Sequence, residues 1–251
     1  MGKNKLERFA ENDTFRHVVQ PDLIEAREHD NEIKGTWNRW MFENNNPIVV
    51  ELGCGKGEYT VALARENRNV NYIGVDIKGA RIWRGARTVA EENLKNVAFL
   101  RTRIEFILRY FGKNEIDEIW ITFPDPQLKT RRAKNRLTHS EFLNRYQQFL
   151  KPNAVVHLKT DSLFMHRYSK MVLMHNGIDI LEASEDIYVN PEIDPILTIK
   201  TTYEKMFMSK GFPITYLKFR MKPNIKLTEP EYDNNELLQI CLRDCPADTE
   251  R

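Results

Sequence analysis

The sequence predicts an α/β protein with a mostly parallel sheet of seven strands and helices on both faces. Short apolar runs that suit buried strands alternate along the chain with stretches of helical periodicity. This alternation is typical of a parallel sheet, because parallel neighbours need a crossover segment between them. The composition suits a globular protein, since 41% of the residues are hydrophobic and 29% are charged.

The chain from residue 47 to residue 123 holds four predicted strands with three helices between them. The strands are short apolar runs bounded by polar or turn-forming residues. The helices carry apolar residues three or four positions apart, which places those residues on one face. In order, the elements are strand 47–52, helix 59–66, strand 71–76, helix 80–94, strand 97–100, helix 105–111 and strand 116–123.

The same alternation continues with three more strands. In order, the elements are helix 139–150, strand 154–159, helix 163–175, strand 178–183, helix 201–210 and strand 214–221. We therefore place one domain at residues 47–222. An N-terminal helical extension at residues 1–46 precedes it, and a C-terminal tail at residues 223–251 follows it.

The N-terminal extension has a helical pattern of its own. Ile33, Trp37, Trp40 and Met41 have the spacing of one helix face. We expect this face to pack on the domain. An aromatic platform for a substrate is the alternative function of the two tryptophans.

Charge separates the domain from its flanks. The whole chain has a net charge of +2, which taken alone does not indicate a strongly basic protein. Residues 47–222, however, hold 28 basic and 20 acidic residues, whereas residues 1–46 hold 7 and 9, and residues 223–251 hold 3 and 7. The domain is therefore basic, as expected of a protein that binds nucleic acid.

Cysteine and histidine do not show the spacing of a metal site. Three cysteines cannot form a disulfide framework, which indicates a reducing compartment. Cys241 and Cys245 are four residues apart, but no further cysteine or histidine is near them in the sequence. No apolar run approaches the roughly 18 residues that a membrane-spanning helix needs. We expect a cytoplasmic protein without a metal and without a membrane partner.

A glycine-rich loop lies between the first strand and the first helix of the domain. Gly53, Gly55 and Gly57 are spaced G-x-G-x-G, which permits a tight turn and a close approach of ligand to backbone. Glu51 comes two residues before the loop, and Asp76 ends the next strand. Because ligands of open parallel sheets bind beyond the carboxyl ends of the strands, these residues predict one ligand site.

The two acidic residues indicate the kind of ligand. Asp76 suits hydrogen bonds to the hydroxyls of a ribose. Glu51 would repel a diphosphate, and Gly57 comes one residue too early for the dinucleotide motif G-x-G-x-x-G. A ligand with a ribose, no phosphate and a positive charge fits better. This favours S-adenosylmethionine over a nicotinamide dinucleotide, so a nicotinamide-dependent dehydrogenase is the more distant alternative.

The fourth strand ends in Phe123-Pro-Asp-Pro126. The two prolines fix the backbone on both sides of Asp125, which makes its carboxylate a candidate site residue. A basic run follows, since residues 126–140 hold five basic residues and no acidic one. Such a run beside a candidate catalytic carboxylate predicts binding of phosphate groups, as in a nucleic acid.

The order of these motifs resembles that of a known family. Together they resemble bacterial tRNA (guanine-N7-)-methyltransferases of the TrmB type over about residues 45–222. The segments that carry the resemblance are 51–57, 74–78, 123–126 with its basic run, Lys-Thr-Asp at 159–161 and Thr-Thr-Tyr-Glu at 201–204.

The resemblance implies a Rossmann-like class I fold that uses S-adenosylmethionine. The implied reaction is methyl transfer to N7 of guanine 46 in the tRNA variable loop, with S-adenosyl-L-homocysteine as the product and no metal. The implied partner is tRNA, and the protein would be a monomer or a homodimer.

The resemblance also implies roles for individual residues. Asp125 matches the catalytic aspartate, which also contacts the cofactor. The cofactor-binding set is Glu51, Gly53, Gly55, Gly57, Asp76 and Asp125, together with Thr102 and Arg103. These last two stand where many members hold the adenine amine with an acidic or amide side chain, which this sequence lacks. The tRNA-binding set is Lys129, Asp161, Thr201, Thr202, Tyr203 and Glu204, and the basic run adds Arg131 and Arg132. Gln127 stands where the family usually has tryptophan.

The chemistry of guanine N7 sets what a catalytic residue must do. N7 carries a lone pair and no proton, so its methylation needs no general base. We expect Asp125 to hold the base and to stabilise the positive charge that develops on it. Two alternatives stay open: a methyltransferase for a protein or small molecule, and an RNA-binding module that has lost catalysis.

Overall fold

The computed structural model describes residues 4–22 and 25–244. Over these residues the chain has an α/β fold in which helices surround a mostly parallel sheet. The predicted fold class is confirmed, although the described residues form eight strands and not seven. The additional strand, β1 (Val18–Val19), lies in the N-terminal extension and is too short to produce a recognisable pattern.

The seven predicted strands are all present. The largest difference is at β6, which begins at Leu150 and therefore shortens the helix expected at residues 139–150. The strands are β2 (Ile48–Leu52), β3 (Asn71–Asp76), β4 (Val97–Arg101), β5 (Ile116–Thr122), β6 (Leu150–Thr160), β7 (Asp179–Ser184) and β8 (Thr215–Arg220).

Most predicted helices are α-helices, and the one expected at residues 105–111 is a 3-10 helix. The α-helices are α1 (Lys5–Asn12), α2 (Glu25–Glu28), α3 (Glu58–Glu66), α4 (Gly79–Glu91), α5 (Ser140–Tyr146), α6 (Leu163–His175), α7 (Thr202–Ser209) and α8 (Asn234–Asp244). The 3-10 helices are Ile104–Arg109, Thr130–Asn135, Ile187–Val189 and Pro195–Thr198.

The chain forms two compact units. Among the described residues, the first unit contains those up to Trp120 and the segment Gln148–Lys151, and the second contains Ile121–Gln147 and those from Pro152 onwards. The domain limits that we place at residues 47 and 222 stay predictions.

In the first unit, β1, β4, β3 and β2 lie side by side, and all three pairs are parallel. The register pairs Leu52 with Val75 and Asp76 with Arg101. The carboxyl ends of β2, β3 and β4 therefore lie at one edge. The interior of the sheet is apolar, since every residue of β2 is buried.

In the second unit, β8 lies between β6 and β7, and both pairs are antiparallel. Helix α6 contacts β7, β8 and α8. The strand pairs of the first unit are parallel and these pairs of the second unit are antiparallel, so the protein contains both kinds of strand pairing.

The N-terminal extension packs differently from the expectation at Trp40. Trp37 is fully buried, and its indole N–H donates to the carbonyl of Tyr110 at 2.9 Å. Trp40, by contrast, is 57% exposed. The prediction of one shared buried face is wrong for Trp40, because residues Asn38–Phe42 form a π-helix and not an α-helix.

Candidate active site

The glycine loop of the first unit folds back onto the end of β3. Gly53, Gly55 and Gly57 have φ angles of +79°, +56° and +70°, a region that glycine enters without steric cost. The backbone N–H groups of Gly53 and Cys54 both donate to the carbonyl of Val75, at 2.8 and 3.0 Å. Hydrogen bonds between main-chain groups therefore fix the conformation of the loop.

The three glycines face different surroundings. A Cβ at Gly57 would lie 2.5 Å from the ring of Phe99 and 3.4 Å from Gly85, so this glycine permits close packing inside the unit. A Cβ at Gly53 or Gly55 would meet no atom within 4 Å. The backbone at these two positions is open to a ligand.

Glu51 is buried at the carboxyl end of β2 and is only 3% exposed. Its Oε2 accepts a hydrogen bond from the backbone N–H of Thr60 at 2.8 Å and another from the Thr60 hydroxyl. The carboxylate thus lies at the N-terminus of α3, which stabilises a negative charge there. Burial, together with the charges of Glu51 and Asp76, raises the pKa of the Cys54 thiol.

Asp76 ends β3 and connects the glycine loop to the next turn. Its Oδ2 accepts from the N–H of Gly55 at 2.9 Å, and its Oδ1 accepts from the N–H of Lys78 at 2.7 Å. Each carboxylate oxygen has two lone pairs, so both keep the capacity to accept a bond from a ligand hydroxyl.

Thr102 and Arg103 follow β4 and differ sharply in exposure. Thr102 is fully buried, its N–H donates to the carbonyl of Asp76 at 3.2 Å, and its hydroxyl has no hydrogen-bond partner among the residues the structure describes. Arg103 is exposed and forms an ion pair with Glu105 at 3.0 Å, which raises the pKa of Arg103. Thr102 therefore lies beside the carboxyl ends of β3 and β4, whereas Arg103 faces the solvent.

These features fit a ligand that carries a ribose and a positive charge. The open backbone at Gly53 and Gly55 permits close approach, and Asp76 retains acceptor capacity for hydroxyl groups. The unpartnered hydroxyl of Thr102 is a further group that a ligand would satisfy. The first unit therefore brings together most of the residues predicted to bind S-adenosylmethionine.

Asp125 of the second unit lies in an unusual backbone segment. Its Oδ1 accepts from the N–H of Gln127 at 2.9 Å, and the side chain is exposed. Phe123 and Gln127, on either side, have φ angles of +49° and +47°. Non-glycine residues in this region cost roughly 1–3 kcal/mol each and occur where the surroundings hold them, which is common at active sites.

A cavity of about 300 Å³ opens beside Asp125. Its volume is at the lower end of the range for small-ligand pockets. It is lined by Asp125, Pro126, Gln127, Leu128, Lys129, Arg132 and Phe207. Sequence reasoning missed Phe207, an aromatic ring on α7 that stacks with Phe123 at 6.4 Å between ring centroids.

The basic run divides into an exposed part and a buried part. Residues Thr130–Asn135 form a 3-10 helix without a buried side chain, and Lys129, Arg131, Arg132 and Lys134 are all exposed. Arg136 is fully buried. Arg136 is therefore not available to phosphates, unlike the other cations of the run, because its guanidinium lies inside the second unit.

The segments around Asp161 and Glu204 lie largely below the surface. Asp161 is 3% exposed, and Glu204 is fully buried with Oε2 accepting from Lys159 Nζ at 2.8 Å and Oε1 from the Tyr188 hydroxyl at 2.6 Å. Burial lowers the pKa of Lys159, and Glu204 opposes that shift. Direct contact of Glu204 with a base stays a prediction.

The start of α7 holds the remaining residues of the predicted tRNA-binding set, of which Thr201 is buried. Thr201 is its N-cap, with Oγ1 accepting from the N–H of Glu204 at 3.2 Å. Thr202 and Tyr203 are exposed, Tyr203 by 41%.

No group of three or more His, Cys, Asp or Glu side chains that could hold a metal ion occurs within residues 4–22 and 25–244. Cys241 is buried and is not part of a disulfide within the described residues, and Cys245 lies outside them. Over the same described ranges, no helix has the length and apolar character needed to cross a membrane.

The sequence is similar to a family of methyltransferases. A family model described as "Putative methyltransferase" matches residues 45–217. A tRNA (guanine-N(7)-)-methyltransferase of Christiangramia forsetii is 54% identical over 222 residues, which cover 88% of this chain and 99% of the relative. A protein of the same name from Bacteroides fragilis is 46% identical over 93% of this chain and 92% of the relative.

Solved structures with a similar fold are distant in sequence. The 16S rRNA methyltransferase KamB is 14% identical, with a TM-score of 0.58 over 77% of this chain and 96% of that chain. A mutant of the 16S rRNA (adenine(1408)-N(1))-methyltransferase from Catenulisporales acidiphilia, solved with its cosubstrate SAM, is 15% identical, with a TM-score of 0.53 over 86% and 95%. These similarities support the fold.

Proposed function

The chain belongs to the tRNA (guanine-N7-)-methyltransferase family, and we propose that it methylates N7 of guanine 46 in the variable loop of tRNA. The observation that carries the proposal is the cavity beside Asp125, whose walls combine a carboxylate, the cations Lys129 and Arg132, and the ring of Phe207. These are the groups needed to hold a flat, electron-rich base with an attached phosphate.

We propose that the first unit holds the methyl donor. When bound, S-adenosylmethionine supplies an activated sulfonium methyl group, and S-adenosyl-L-homocysteine is left after transfer. Asp76 would accept bonds from the ribose hydroxyls, and Gly53 and Gly55 would lie along the methionine part. Glu51 supplies negative charge for the positive groups, and Thr102 with Arg103 would lie at the adenine.

Asp125 would act on the guanine without removing a proton. N7 has a free lone pair, so the reaction creates positive charge on the purine and releases no proton. A carboxylate fixed beside that charge stabilises it, and a fixed orientation of the base reduces the entropic part of the barrier. The hydrogen bond from the Gln127 N–H holds Oδ1 in one position.

Phe207 would provide the flat surface on which the base stacks. Most members of the family have tryptophan at the position of Gln127, so the chain lacks that ring. Phe207 lines the same cavity as Gln127. Stacking of a base on an aromatic side chain contributes about 1–3 kcal/mol.

The base edge and the phosphates would be bound by separate groups. The side chains of Asp161, Thr201, Thr202 and Glu204 would accept from the guanine N1–H and N2–H₂ groups, which adenine lacks. Tyr203 would contact the tRNA beside them. The exposed cations Lys129, Arg131 and Arg132 would contact phosphates and position the tRNA without reading its sequence. Because the proposed substrate is tRNA, we also propose that the protein acts in the cytoplasm.

The proposal is tested with labelled S-adenosylmethionine and unmodified tRNA transcripts. Nucleoside analysis should show 7-methylguanosine, and chain cleavage at the modified base should map it to position 46. A transcript with adenosine at position 46 is the matched control and should take up no label.

The outcomes separate the parts of the proposal. Methylation of another guanine would overturn the assignment to position 46. Label in protein or small molecules, with none in tRNA, would overturn the tRNA assignment and favour the alternative methyltransferase. Binding of tRNA without any transfer would favour an RNA-binding module.

A further inference from the structure

Arg136 is fully buried, although it belongs to a run of exposed cations. Its Nε donates to the carbonyl of Pro126 at 3.2 Å, and its Nη2 donates to the carbonyl of Gln127 at 3.1 Å. These two carbonyls belong to the residues that directly follow Asp125. The guanidinium therefore holds the backbone of the candidate catalytic loop from below the surface.

The two terminal nitrogens of the guanidinium also reach the C-terminal part of the chain. Nη1 donates to the hydroxyl of Tyr232 at 2.6 Å, and Nη2 donates to Oδ1 of Asn234 at 2.5 Å. The Asn234 amide in turn donates to the carbonyl of Leu128 at 2.8 Å. Arg136, Tyr232 and Asn234, which we call the Arg136 clamp, thus hold three consecutive carbonyls of the loop.

The guanidinium of Arg136 is hydrogen-bonded only to neutral acceptors within the described residues. Within the described residues, no carboxylate lies at ion-pair distance from it, and its hydrogen-bond acceptors are carbonyls, a hydroxyl and an amide. Its guanidinium also lies over the rings of Phe164 and Tyr168, at 4.7 and 4.4 Å from the ring centroids. Burying a cation costs free energy unless its N–H groups are hydrogen-bonded. Any conformation of the loop that broke these bonds would therefore be unfavourable.

The loop that the clamp holds is strained. Gln127 has a φ of +47°, and its N–H is the donor to Asp125 Oδ1. A strained backbone keeps its conformation only where its surroundings hold it. Arg136 supplies that hold, because it contacts the carbonyl of Gln127 itself and the carbonyl of the preceding Pro126.

We propose that Arg136 is a positioning residue, which with Tyr232 and Asn234 fixes the direction of the Asp125 carboxylate. The inference rests on the proposed function, because it assigns a role in methyl transfer to a side chain that cannot contact the tRNA. It also assigns a role to Tyr232 and Asn234 of the C-terminal tail, which tie the loop to the rest of the second unit.

Arg136→Lys is the first test. Lysine keeps the charge but has three donors on one nitrogen and cannot span the four acceptors. We expect kcat to fall about 100-fold, the loss typical of a misplacement by about 1 Å. The KM for S-adenosylmethionine and the Kd for tRNA should stay within about twofold, since no residue proposed to bind either one is removed.

Tyr232→Phe is a milder test, and Tyr216→Phe is its matched control. The first removes only the hydroxyl that accepts from Arg136, and we expect kcat to fall about fivefold. The second removes a buried hydroxyl that is hydrogen-bonded to His157, between β6 and β8 of the same unit, and should leave kcat unchanged. Equal losses of kcat in the two variants would mean general destabilisation and would overturn the inference.

Amide hydrogen exchange at Gln127 provides a measurement that does not depend on activity. Its N–H should exchange at least about tenfold faster in Arg136→Lys, at an intermediate rate in Tyr232→Phe and at the wild-type rate in Tyr216→Phe. Wild-type kcat and wild-type exchange in Arg136→Lys would overturn the inference. If that variant does not fold, wild-type exchange in Tyr232→Phe would overturn it.

The same measurements distinguish this inference from the proposed function. If the wild-type protein makes no 7-methylguanosine, the proposed function is wrong. The exchange of the Gln127 amide would then still show whether Arg136 holds the loop, and an unchanged exchange rate would reject the clamp as well.

Discussion

In the first unit the candidate site is made largely of main chain, whereas in the second unit it is made of side chains held by distant parts of the sequence. The glycine loop is fixed by bonds from Gly53 and Cys54 to Val75 and by the bond from Gly55 to Asp76. The loop after Asp125 is fixed by Arg136, whose partner Asn234 is 98 residues further along the chain.

This difference has consequences for substitutions. A site made of main chain depends on backbone conformations and close packing that also determine folding. A site made of exposed side chains can lose its chemistry while the fold persists. Substitutions in the two units should therefore affect different measurements.

Asp125→Ala should have the largest effect, and it should be confined to chemistry. We expect kcat to fall about 1,000-fold, because a group that stabilises developing charge is lost. The melting temperature should stay within about 2 °C, since Asp125 is exposed. Single-turnover assays and thermal melts check the two parts. A variant with near-normal turnover would contradict the assignment of Asp125.

Gly57→Ala should affect folding in the first unit. The added Cβ would lie 2.5 Å from Phe99 at a φ of +70°, so we expect a loss of about 3 kcal/mol in the free energy of unfolding. Denaturant unfolding measures it. Gly177→Ala is the control, since its φ is +61° with no atom within 4 Å of the new Cβ. Gly177→Ala should lower the free energy of unfolding by only about 1–2 kcal/mol. Equal losses in the two variants would show that the contact with Phe99 does not contribute.

Asp76→Asn should weaken binding of the methyl donor. The change removes a charged acceptor, which is worth about 1.5–3 kcal/mol, so the Kd for S-adenosylmethionine should rise about tenfold to a hundredfold. Calorimetry with the purified protein measures it. Asp30→Asn, an exposed carboxylate of the same unit paired with Lys34 and Arg109, should leave the Kd unchanged. An unchanged Kd in Asp76→Asn would remove this residue from the ligand site.

The double variant Arg131→Ala with Arg132→Ala should have the smallest effect. Two lost phosphate contacts should weaken tRNA binding about tenfold and reduce the slope of log K against log salt concentration by about 1.5. Binding titrations at several salt concentrations measure it. The double variant Arg65→Ala with Arg87→Ala removes two exposed arginines of the first unit that are paired with Glu92 and Glu91, and it should leave the slope unchanged.

The sequence predicts the first unit's site better than the second's. Glu51, Gly53, Gly55 and Asp76 lie within 26 residues, and a parallel sheet places the ends of neighbouring strands together. Spacing along the chain is therefore enough to group them. Thr102 is also located this way, because it follows the next strand.

The second unit contains contacts that no local pattern reveals. Arg136 has the sequence surroundings of an exposed cation, and only its bonds to Tyr232 and Asn234 show that it is buried. Phe207 lies on a helix whose periodicity does not indicate which face meets Asp125. The exposure of Trp40 was missed for a related reason, since the sequence pattern does not distinguish a π-helix from an α-helix.

The late position of Tyr232 in the sequence has a consequence for synthesis of the protein. Arg136 and Tyr232 are separated by 96 residues, which a ribosome adds in about 5–20 seconds. During that interval Arg136 exists without two of its acceptors, while the glycine loop already has all of its partners. A growing chain therefore completes its ligand loop early, and it acquires a finished Asp125 loop only when α8 is being made.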